Sequence, residues 1–237
     1  MSGSTDPRTV ALVLAAGAGT RLGRSPKAFV DLGGESLFVH SLRTIVACSE
    51  IEGLVLVVPQ GHQEAAADTL RSLRPAPSLL GVRVGGGTRR ESVELGLRAL
   101  PEGTNVVVCH DAARPFATPD LFHRVIEGLL AADGAVPVVS SPDTLKRVRD
   151  GLVVETLPRD ELRLAQTPQA FSAAVLRSVH RHPGTSRHEA TDDAMMVEAA
   201  GFKVVAVRGE PGNFKITTED DLLRARWFLG ERVRSKA

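Results

Sequence analysis

The sequence is poor in the features that mark several classes of protein. Aromatic residues make up only 4% of its 237 residues, so a stacking platform for single-stranded nucleic acid is not expected. Neither sign of charge dominates: 29 basic against 28 acidic residues leave a net charge of +1, which argues against bulk binding to nucleic acid or to a membrane surface. No apolar run is long enough to span a bilayer, and the first residues do not resemble a signal peptide.

Cysteine is also scarce. The two cysteines, Cys48 and Cys109, lie in apolar runs and form no C-x-x-C motif. We therefore expect buried thiols in a reducing cytoplasm. Residues 1–8 are polar, and we expect a disordered tail there on a single domain that spans residues 1–237.

A glycine-rich stretch near the start of the chain is the first candidate for a ligand site. The apolar run Val10 to Leu14 predicts a buried strand, and small residues follow it from Ala15 to Gly19. Such residues let the backbone approach a ligand, and successive N–H groups can form a nest for anions. Arg21 and Lys27 add cations that suit a polyphosphate. The alternative is a turn that needs glycine for its geometry alone.

Two commoner phosphate-binding loops are excluded. The Walker A string G-x-x-x-x-G-K-[ST] does not occur in the sequence. The dinucleotide fingerprint G-x-G-x-x-G is absent as well. Gly17, Gly19 and Gly23 follow the pattern G-x-G-x-x-x-G, which is one residue longer. A triphosphate, with its higher charge, fits the neighbouring cations better than a dinucleotide does.

Apolar strands alternate with amphipathic helices along most of the chain. This pattern predicts an α/β fold with a doubly wound, mostly parallel sheet. Ligands bind such sheets at the carboxyl ends of the strands. The glycine loop, a second glycine turn at Gly85 to Ser92, and the segment His110 to Pro115 all follow predicted strands. We therefore expect the three segments to share one crevice.

Residues 140–159 interrupt the alternation, and we call this segment the arm. Two short strands, 144–148 and 152–156, flank Asp150-Gly151, which is a strong signal for a β-hairpin. A lone hairpin is marginally stable in water, so the arm should project and pack on a second subunit. We therefore expect a homodimer.

Three polar residues near the crevice are candidates for chemistry. Asp111 can bind a metal or a substrate hydroxyl, and Arg114 can bind a phosphate with its forked guanidinium. The alternative is an internal Asp–Arg pair that braces the loop. Lys215 precedes the last predicted helix, and a solvated lysine is the alternative to a role in the site.

Five motifs together resemble one family, the 2-C-methyl-D-erythritol 4-phosphate cytidylyltransferases. They are L-A-A-G-x-G-T-R-L with Pro26-Lys27, then H-D-A-A-R-P from His110, A-Q-T-P-Q from Ala165, T-D-D-A from Thr191 and F-K-I-T from Phe214. The resemblance covers roughly residues 9 to 230. Its first motif is shared with many sugar-phosphate nucleotidyltransferases, whereas H-D-A-A-R-P and T-P-Q are more specific.

The resemblance implies a Rossmann-like nucleotidyltransferase. Such an enzyme would transfer a cytidylyl group from CTP to 2-C-methyl-D-erythritol 4-phosphate and release pyrophosphate, with Mg²⁺ or another divalent cation held mainly by the phosphates. The in-line displacement needs no general base, because a phosphate monoester is already an anion. Alternatives are a ribitol-5-phosphate cytidylyltransferase, another sugar-phosphate nucleotidyltransferase, or a non-catalytic nucleotide-binding regulator.

The resemblance also implies roles for individual residues. Catalytic cations would be Arg21, Lys27 and Lys215. The nucleotide would contact Ala15, Ala16, Gly17, Ala18, Gly19, Gly86 and Ser92. The acceptor side would involve Asp111, Arg114, Thr144, Arg159, Thr167 and Thr191, with Thr144 and Arg159 reaching the neighbouring subunit's site. His110 would be structural in its loop. Gly87 replaces an acidic residue found in some members, which leaves base selection more to the backbone.

Overall fold

The structure, a computed structural model, describes residues 8–17, 19, 26–73, 76–181 and 190–234. The strands in these ranges are β1 Thr9–Leu14, β2 Asp31–Leu32, β3 Glu35–Ser36, β4 Gly53–Val58, β5 Ser78–Val84, β6 Val106–Asp111, β7 Gly134–Ser140, β8 Lys146–Arg149, β9 Leu152–Thr156, β10 Arg163–Ala165, β11 Gln169–Ser172 and β12 Val204–Arg208. The α-helices are α1 Leu37–Val46, α2 Gln63–Ser72, α3 Arg89–Leu97, α4 Pro119–Gly128, α5 Ala173–Arg181, α6 Asp193–Ala199 and α7 Glu219–Arg234.

An eight-stranded sheet forms the centre of the molecule. The order β6-β1-β4-β5 is parallel throughout, as the alternation predicted. β11 lies antiparallel between β6 and β7, while β12 pairs with β7 in parallel. The fold is therefore α/β with a mostly parallel sheet, and the predicted fold class is confirmed.

Helices cover both faces of the sheet, which makes it doubly wound. Alternate residues of β1 point to opposite faces, and the four residues Val10 to Val13 are fully buried. Ala11 and Val13 pack in one cluster with residues of α1, α2 and α4, whereas Val10 and Leu12 pack in another with residues of α3, α5 and α6. This two-sided burial explains why β1 is an unbroken apolar run.

Several predicted boundaries are wrong in detail. The strand β6 continues through His110 and Asp111, which were predicted to lie in the loop after it. The helix α4 begins at Pro119 after the Thr118 cap and ends at Gly128. Arg8 belongs to the fold and not to the tail, because its backbone carbonyl accepts hydrogen bonds from the N–H groups of Asn105 and Val106. The remaining residues of the predicted tail, 1–7, lie outside the described residues.

The arm contains the predicted hairpin. β8 and β9 pair antiparallel in a sheet of their own, and Asp150 and Gly151 turn between them with φ of 49° and 77°. Both φ values are positive, as a type I′ hairpin turn requires. All residues of both strands are exposed, including Leu152 and Val153. Whether the arm packs on a second subunit stays a prediction.

Both cysteines are buried free thiols, as expected, and burial raises the pKa of Cys48 to about 12. Within the described ranges, no helix combines the length and the apolar character needed to cross a membrane.

Candidate active site

A cavity of about 290 Å³ opens at the carboxyl ends of the parallel strands. It brings together the glycine loop, the second glycine turn and the end of β6, as predicted. The predicted site residues in its lining are Ala15, Ala16, Gly17, Lys27, Gly86, Ser92, Asp111 and Lys215. These residues come from widely separated parts of the chain, so the fold concentrates eight of the predicted positions in one place.

The glycine loop forms one wall of the cavity. The backbone N–H of Ala15 still donates to the carbonyl of Val57, at 2.7 Å, and the loop departs from the sheet after it. Lys27 lies over this loop, because a Cβ atom built on Gly17 would be 3.6 Å from its Cε. Gly19 has a φ of 68°, a conformation that glycine adopts at little cost. Ala18 and Arg21 lie outside the described residues.

The second glycine turn forms the opposite wall. A Cβ atom on Gly85 would overlap that of Ala16, so the two loops approach each other closely only because Gly85 has no side chain. The Gly86 N–H donates to Oγ of Ser92, and Ser92 in turn donates to the carbonyl of Thr88. A capping box between Thr88 and Glu91 begins α3 at this turn. The turn is therefore held in shape by its own hydrogen bonds.

Asp111 lies in the floor of the cavity between two cations. Nζ of Lys215 lies 2.6 Å from its Oδ2, and Nε of Arg89 lies 3.4 Å from its Oδ1. Burial raises the pKa of Asp111, but the charges of Arg89 and Lys215 outweigh it and hold that pKa below its ordinary value. Asp111 is therefore a carboxylate at neutral pH. Lys215 is paired with Asp111, so the alternative interpretation of Lys215 as a solvated lysine is wrong.

Thr167 and Arg114 support this floor from behind. The Asp111 N–H donates to Oγ1 of Thr167, at 3.0 Å, while the Thr167 carbonyl accepts a hydrogen bond from Asn213. Arg114 donates to the carbonyls of Asn213 and Ala165, which ties its loop to the segment before Lys215. Thr167 is 4% exposed and lies outside the lining of the cavity. It contacts the backbone of Asp111 and not the Asp111 carboxylate.

His110 is structural, but in the strand and not in a loop. Its side chain is fully buried, its ring lies 5.2 Å from that of Phe122, and Nδ1 is 3.3 Å from Oγ1 of Thr167. Burial lowers the pKa of His110 to about 4. At neutral pH the ring is therefore uncharged.

Because the folded state holds His110 neutral, acid should destabilise the protein. The unfolded chain takes up a proton near the ordinary pKa of 6.5, whereas the folded one does so only near 4. The free energy of unfolding should thus fall by about 3 kcal/mol as the pH drops through that window. Urea unfolding between pH 7 and 4 measures it, and a His110→Gln variant should lose clearly less stability over the same range. An equal loss in both proteins would contradict this assignment.

Besides Gly19, Arg114 and Thr167, three more predicted residues lie outside the cavity lining. Thr144 and Arg159 are exposed residues of the arm, and Thr191 is exposed just before α6. None of the three is part of the cavity lining. That Thr144 and Arg159 act on a neighbouring subunit stays a prediction.

The prediction from sequence missed Arg89 and its partner Asp193. Nη1 of Arg89 lies 2.7 Å from Oδ2 of Asp193, a carboxylate that is 1% exposed and that also faces His180. In the sequence, Arg89 is an ordinary charged residue in the first turn of a helix. Its position directly after a glycine turn at a strand end is the signal that could have identified it.

The residues of the cavity do not form a metal cage. Among the described residues, no group of three or more His, Cys, Asp or Glu side chains could hold a metal ion. Asp111 is the carboxylate in the cavity lining, and cations already face both of its oxygens. The donor set thus fits a divalent cation that arrives bound to phosphates better than one held by the protein.

Comparisons with known proteins agree on one family. The profile of the family described as 2-C-methyl-D-erythritol 4-phosphate cytidylyltransferase matches residues 9–231. A protein of that name from Rubrobacter xylanophilus is 42% identical over 227 residues, which cover 95% of this chain and 96% of the relative. A crystal structure of 4-diphosphocytidyl-2C-methyl-D-erythritol synthase from Anaerococcus prevotii is similar with a TM-score of 0.82 and 31% identity, covering 94% of this chain and 98% of the other.

Some relatives are longer. A protein from Anaeromyxobacter sp. (strain Fw109-5), named bifunctional enzyme IspD/IspF, is 44% identical over 229 residues. The match covers 94% of this chain but only 58% of that relative. The chain therefore spans about three-fifths of the length of the bifunctional protein that it matches.

Proposed function

Because this chain belongs to the 2-C-methyl-D-erythritol 4-phosphate cytidylyltransferase family, we propose that it transfers a cytidylyl group from CTP to 2-C-methyl-D-erythritol 4-phosphate in the non-mevalonate pathway to isoprenoids. The products are 4-diphosphocytidyl-2-C-methyl-D-erythritol and pyrophosphate. The observation that carries the proposal is the single cavity in which a glycine loop, a second glycine turn and the Asp111–Lys215 pair meet. The reducing environment that buried free cysteines favour makes the cytoplasm the expected location.

The nucleotide is assigned to the two glycine-rich walls. The backbone from Ala15 to Gly19 would wrap the triphosphate, and the cytosine would enter the turn that holds Gly86 and Ser92. Since the Gly86 N–H already donates to Ser92, the carbonyl of Gly86 is the group that we assign to the base. A carbonyl accepts a hydrogen bond from the 4-amino group of cytosine, whereas uracil has an acceptor at that position.

The reaction is an in-line displacement at the α-phosphorus. An oxygen of the acceptor's phosphate forms the new bond to phosphorus, while the bond to the bridging oxygen breaks and pyrophosphate leaves with those electrons. Positioning and charge stabilisation supply most of the catalysis in such transfers. Arg21, Lys27 and Lys215 are assigned to the developing negative charge. No protein base has to remove a proton, which suits a site in which His110, next to Asp111, is buried and neutral.

A divalent cation, Mg²⁺ in the cell, would enter with the triphosphate and neutralise part of its charge. The lack of a carboxylate cage among the described residues supports phosphate oxygens and water as its ligands. Asp111 is not assigned to the metal, because Lys215 and Arg89 face its two oxygens.

The acceptor is assigned to the floor and to the space beyond Lys215. Asp111 would accept hydrogen bonds from acceptor hydroxyl groups, with Arg114 and Thr167 holding that floor in place. A second cavity, of about 660 Å³, adjoins Lys215 and includes Arg208 and Arg224 in its lining. We propose a homodimer in which Thr144 and Arg159 of the arm reach the acceptor's phosphate in the neighbouring subunit. Thr191 would line the same side.

The direct test is an assay of pyrophosphate release with CTP and 2-C-methyl-D-erythritol 4-phosphate, with the nucleotide product identified by mass spectrometry. We expect release only when both substrates and a divalent cation are present. Ribitol 5-phosphate replaces the acceptor in one arm, and UTP replaces CTP in another. Preference for ribitol 5-phosphate would assign the chain to that alternative reaction, and binding of CTP without release would make it a regulator.

Asp111→Asn should separate the acceptor from the nucleotide. We expect the KM for the acceptor to rise by about tenfold or more, since a hydrogen bond to a charged group is lost. CTP should bind at least as tightly, because the change removes a negative charge from a site that holds a triphosphate. Steady-state kinetics measure the first effect, and calorimetry with CTP alone measures the second. A large loss of CTP affinity would make Asp111 a nucleotide or metal ligand instead.

A further inference from the structure

Arg89 connects the floor of the cavity to a buried carboxylate that no step of the proposed reaction uses. Its Nε faces Oδ1 of Asp111 at 3.4 Å, and its Nη1 donates to Oδ2 of Asp193 at 2.7 Å. The two carboxylates come from β6 and α6, and Arg89 itself is the first residue of α3. Arg89 is itself part of the cavity lining, and its guanidinium thus joins three elements at the floor of the cavity.

Asp193 is built to hold that guanidinium in one place. It is 1% exposed, and its second oxygen, Oδ1, lies 3.3 Å from Nε2 of His180. A carboxylate so fully removed from water is costly unless it is paired, and breaking such a pair is strongly destabilising. Asp193 therefore anchors the Arg89 guanidinium through Nη1, from the side opposite Asp111.

Lys215 cannot set the orientation of Asp111 by itself. A lysine ammonium is a point charge on a flexible stem, which attracts one carboxylate oxygen without fixing the plane of the group. The guanidinium is planar and rigid, and its nitrogens have fixed directions. With Lys215 on Oδ2 and the anchored Arg89 beside Oδ1, both oxygens of Asp111 have defined places.

We propose that Arg89, anchored by Asp193, is a positioning residue that sets the orientation of the Asp111 carboxylate towards the acceptor. This inference rests on the proposed function, in which Asp111 binds acceptor hydroxyl groups. Arg89 acts through Asp111 and not on the nucleotide. Removal of Arg89 should therefore affect the acceptor and leave CTP binding in place.

The test is an Arg89→Gln variant, with Arg90→Gln as the matched control. Arg90 is the next residue in the same turn of α3, and the structure has no ion pair for it among the described residues. For Arg89→Gln we expect kcat/KM for the acceptor to fall by about tenfold and by no more than in Asp111→Asn, because Arg89 acts only through the hydrogen bonds of that carboxylate. The Kd for CTP should change by about twofold or less. The control should retain wild-type values for both.

A double-mutant cycle with Asp111→Asn separates positioning from general damage to the fold. If Arg89 acts through Asp111, Arg89→Gln should have almost no further effect on the acceptor kcat/KM in the Asp111→Asn background. An equal additional loss in that background would overturn the proposal. So would a parallel loss of acceptor and CTP binding in the single variant.

The double variant Arg89→Gln with Asp193→Asn covers the case in which Arg89→Gln alone fails to fold. It removes both charges of the buried pair, so no unpaired carboxylate remains beneath the cavity. We expect it to show the same loss for the acceptor. A wild-type kcat/KM for the acceptor in this variant would overturn the proposal, since Asp111 would then be oriented without Arg89.

Crystal structures of wild type and the double variant give a readout that needs no acceptor. Asp111 should have one orientation in the wild type and more than one in the variant. A single unchanged orientation in the variant would overturn the inference even if the enzyme acts on another sugar phosphate. A wild-type enzyme that does not use 2-C-methyl-D-erythritol 4-phosphate would instead contradict the proposed function, so the two failures are distinguishable.

Discussion

Lys27→Ala should lower kcat by about 10²-fold while the protein remains folded, because it removes a cation fixed beside the glycine loop. Losing one preorganised charge contact typically costs about 3 kcal/mol of transition-state stabilisation. Lys27 lines the cavity, and its Cε lies against Gly17, where the triphosphate is assigned. The measurement is steady-state turnover with saturating CTP and acceptor. Arg21→Ala is expected to have a similar effect, although Arg21 lies outside the described residues.

Lys203→Ala is the matched control for Lys27→Ala. Lys203 is exposed beside β12, and it is the backbone of Lys203 that bonds to Asp133. Lys203→Ala also removes one lysine charge, but the turnover of this variant should stay near that of the wild type. Thermal unfolding of both variants establishes that they are folded. Near-wild-type turnover in folded Lys27→Ala would remove Lys27 from the catalytic set.

The second large effect concerns the arm. Arg159→Ala should be nearly inactive although Arg159 is exposed and lies outside the cavity of its own chain. Mixing it with Lys27→Ala should restore activity, because each heterodimer then has one site with both residues intact. With random exchange of subunits, activity should reach about a quarter of the wild-type value in a closed twofold dimer. The mixture's turnover, measured after exchange, is the observable.

Exchange has to be demonstrated, which a differently tagged subunit allows by co-purification. Arg149→Ala is the matched control, since Arg149 is an exposed arginine at the end of β8 in the same arm. Its homodimer should be active without any partner. If exchanged heterodimers of the two inactive chains stay inactive, the arm does not complete the neighbouring site. If the chain is monomeric in solution, the dimer itself is refuted.

The exposed apolar residues of the arm are the physical reason for expecting a dimer. Val148, Leu152, Val153 and Val154 are between 52% and 71% exposed in the single chain. A hairpin with such residues facing water is not stabilised by its own two strands. Burial against a second copy would remove this apolar surface from water.

The central strands could be predicted because they are buried on both faces. Val10 to Leu14 has no polar residue, so the strand needs no knowledge of its neighbours to be recognised. The signal for the turn at Asp150-Gly151 is equally local, because Asp and Gly are residues that adopt the positive φ values found there. Local signals of this kind located the two loops and the end of β6, and hence most of the cavity.

What could not be predicted depends on contacts between distant segments. Arg89 and Asp193 are separated by 104 residues, and neither belongs to a local pattern that indicates a pair. β10 and β11 are three and four residues long, too short for periodicity to show. Thr167 was predicted to line the acceptor side, whereas it is buried and contacts the backbone N–H of Asp111. Such positions follow only from the assembled sheet.

The direction of β11 determines which segments of the chain lie beside the side of the cavity that we assign to the acceptor. The parallel strands end at the ligand-binding edge of the sheet, so the residues that follow each of them lie at this edge. An antiparallel strand begins there, so the residues that precede it lie at the same edge. β11 starts at this edge, with Gln169 opposite Cys109, and ends at Ser172 opposite Val106 on the far edge. Insertions or grafted loops placed before β11 would therefore reshape the acceptor side, whereas the same segments placed after Ser172 would emerge on the opposite rim of the molecule.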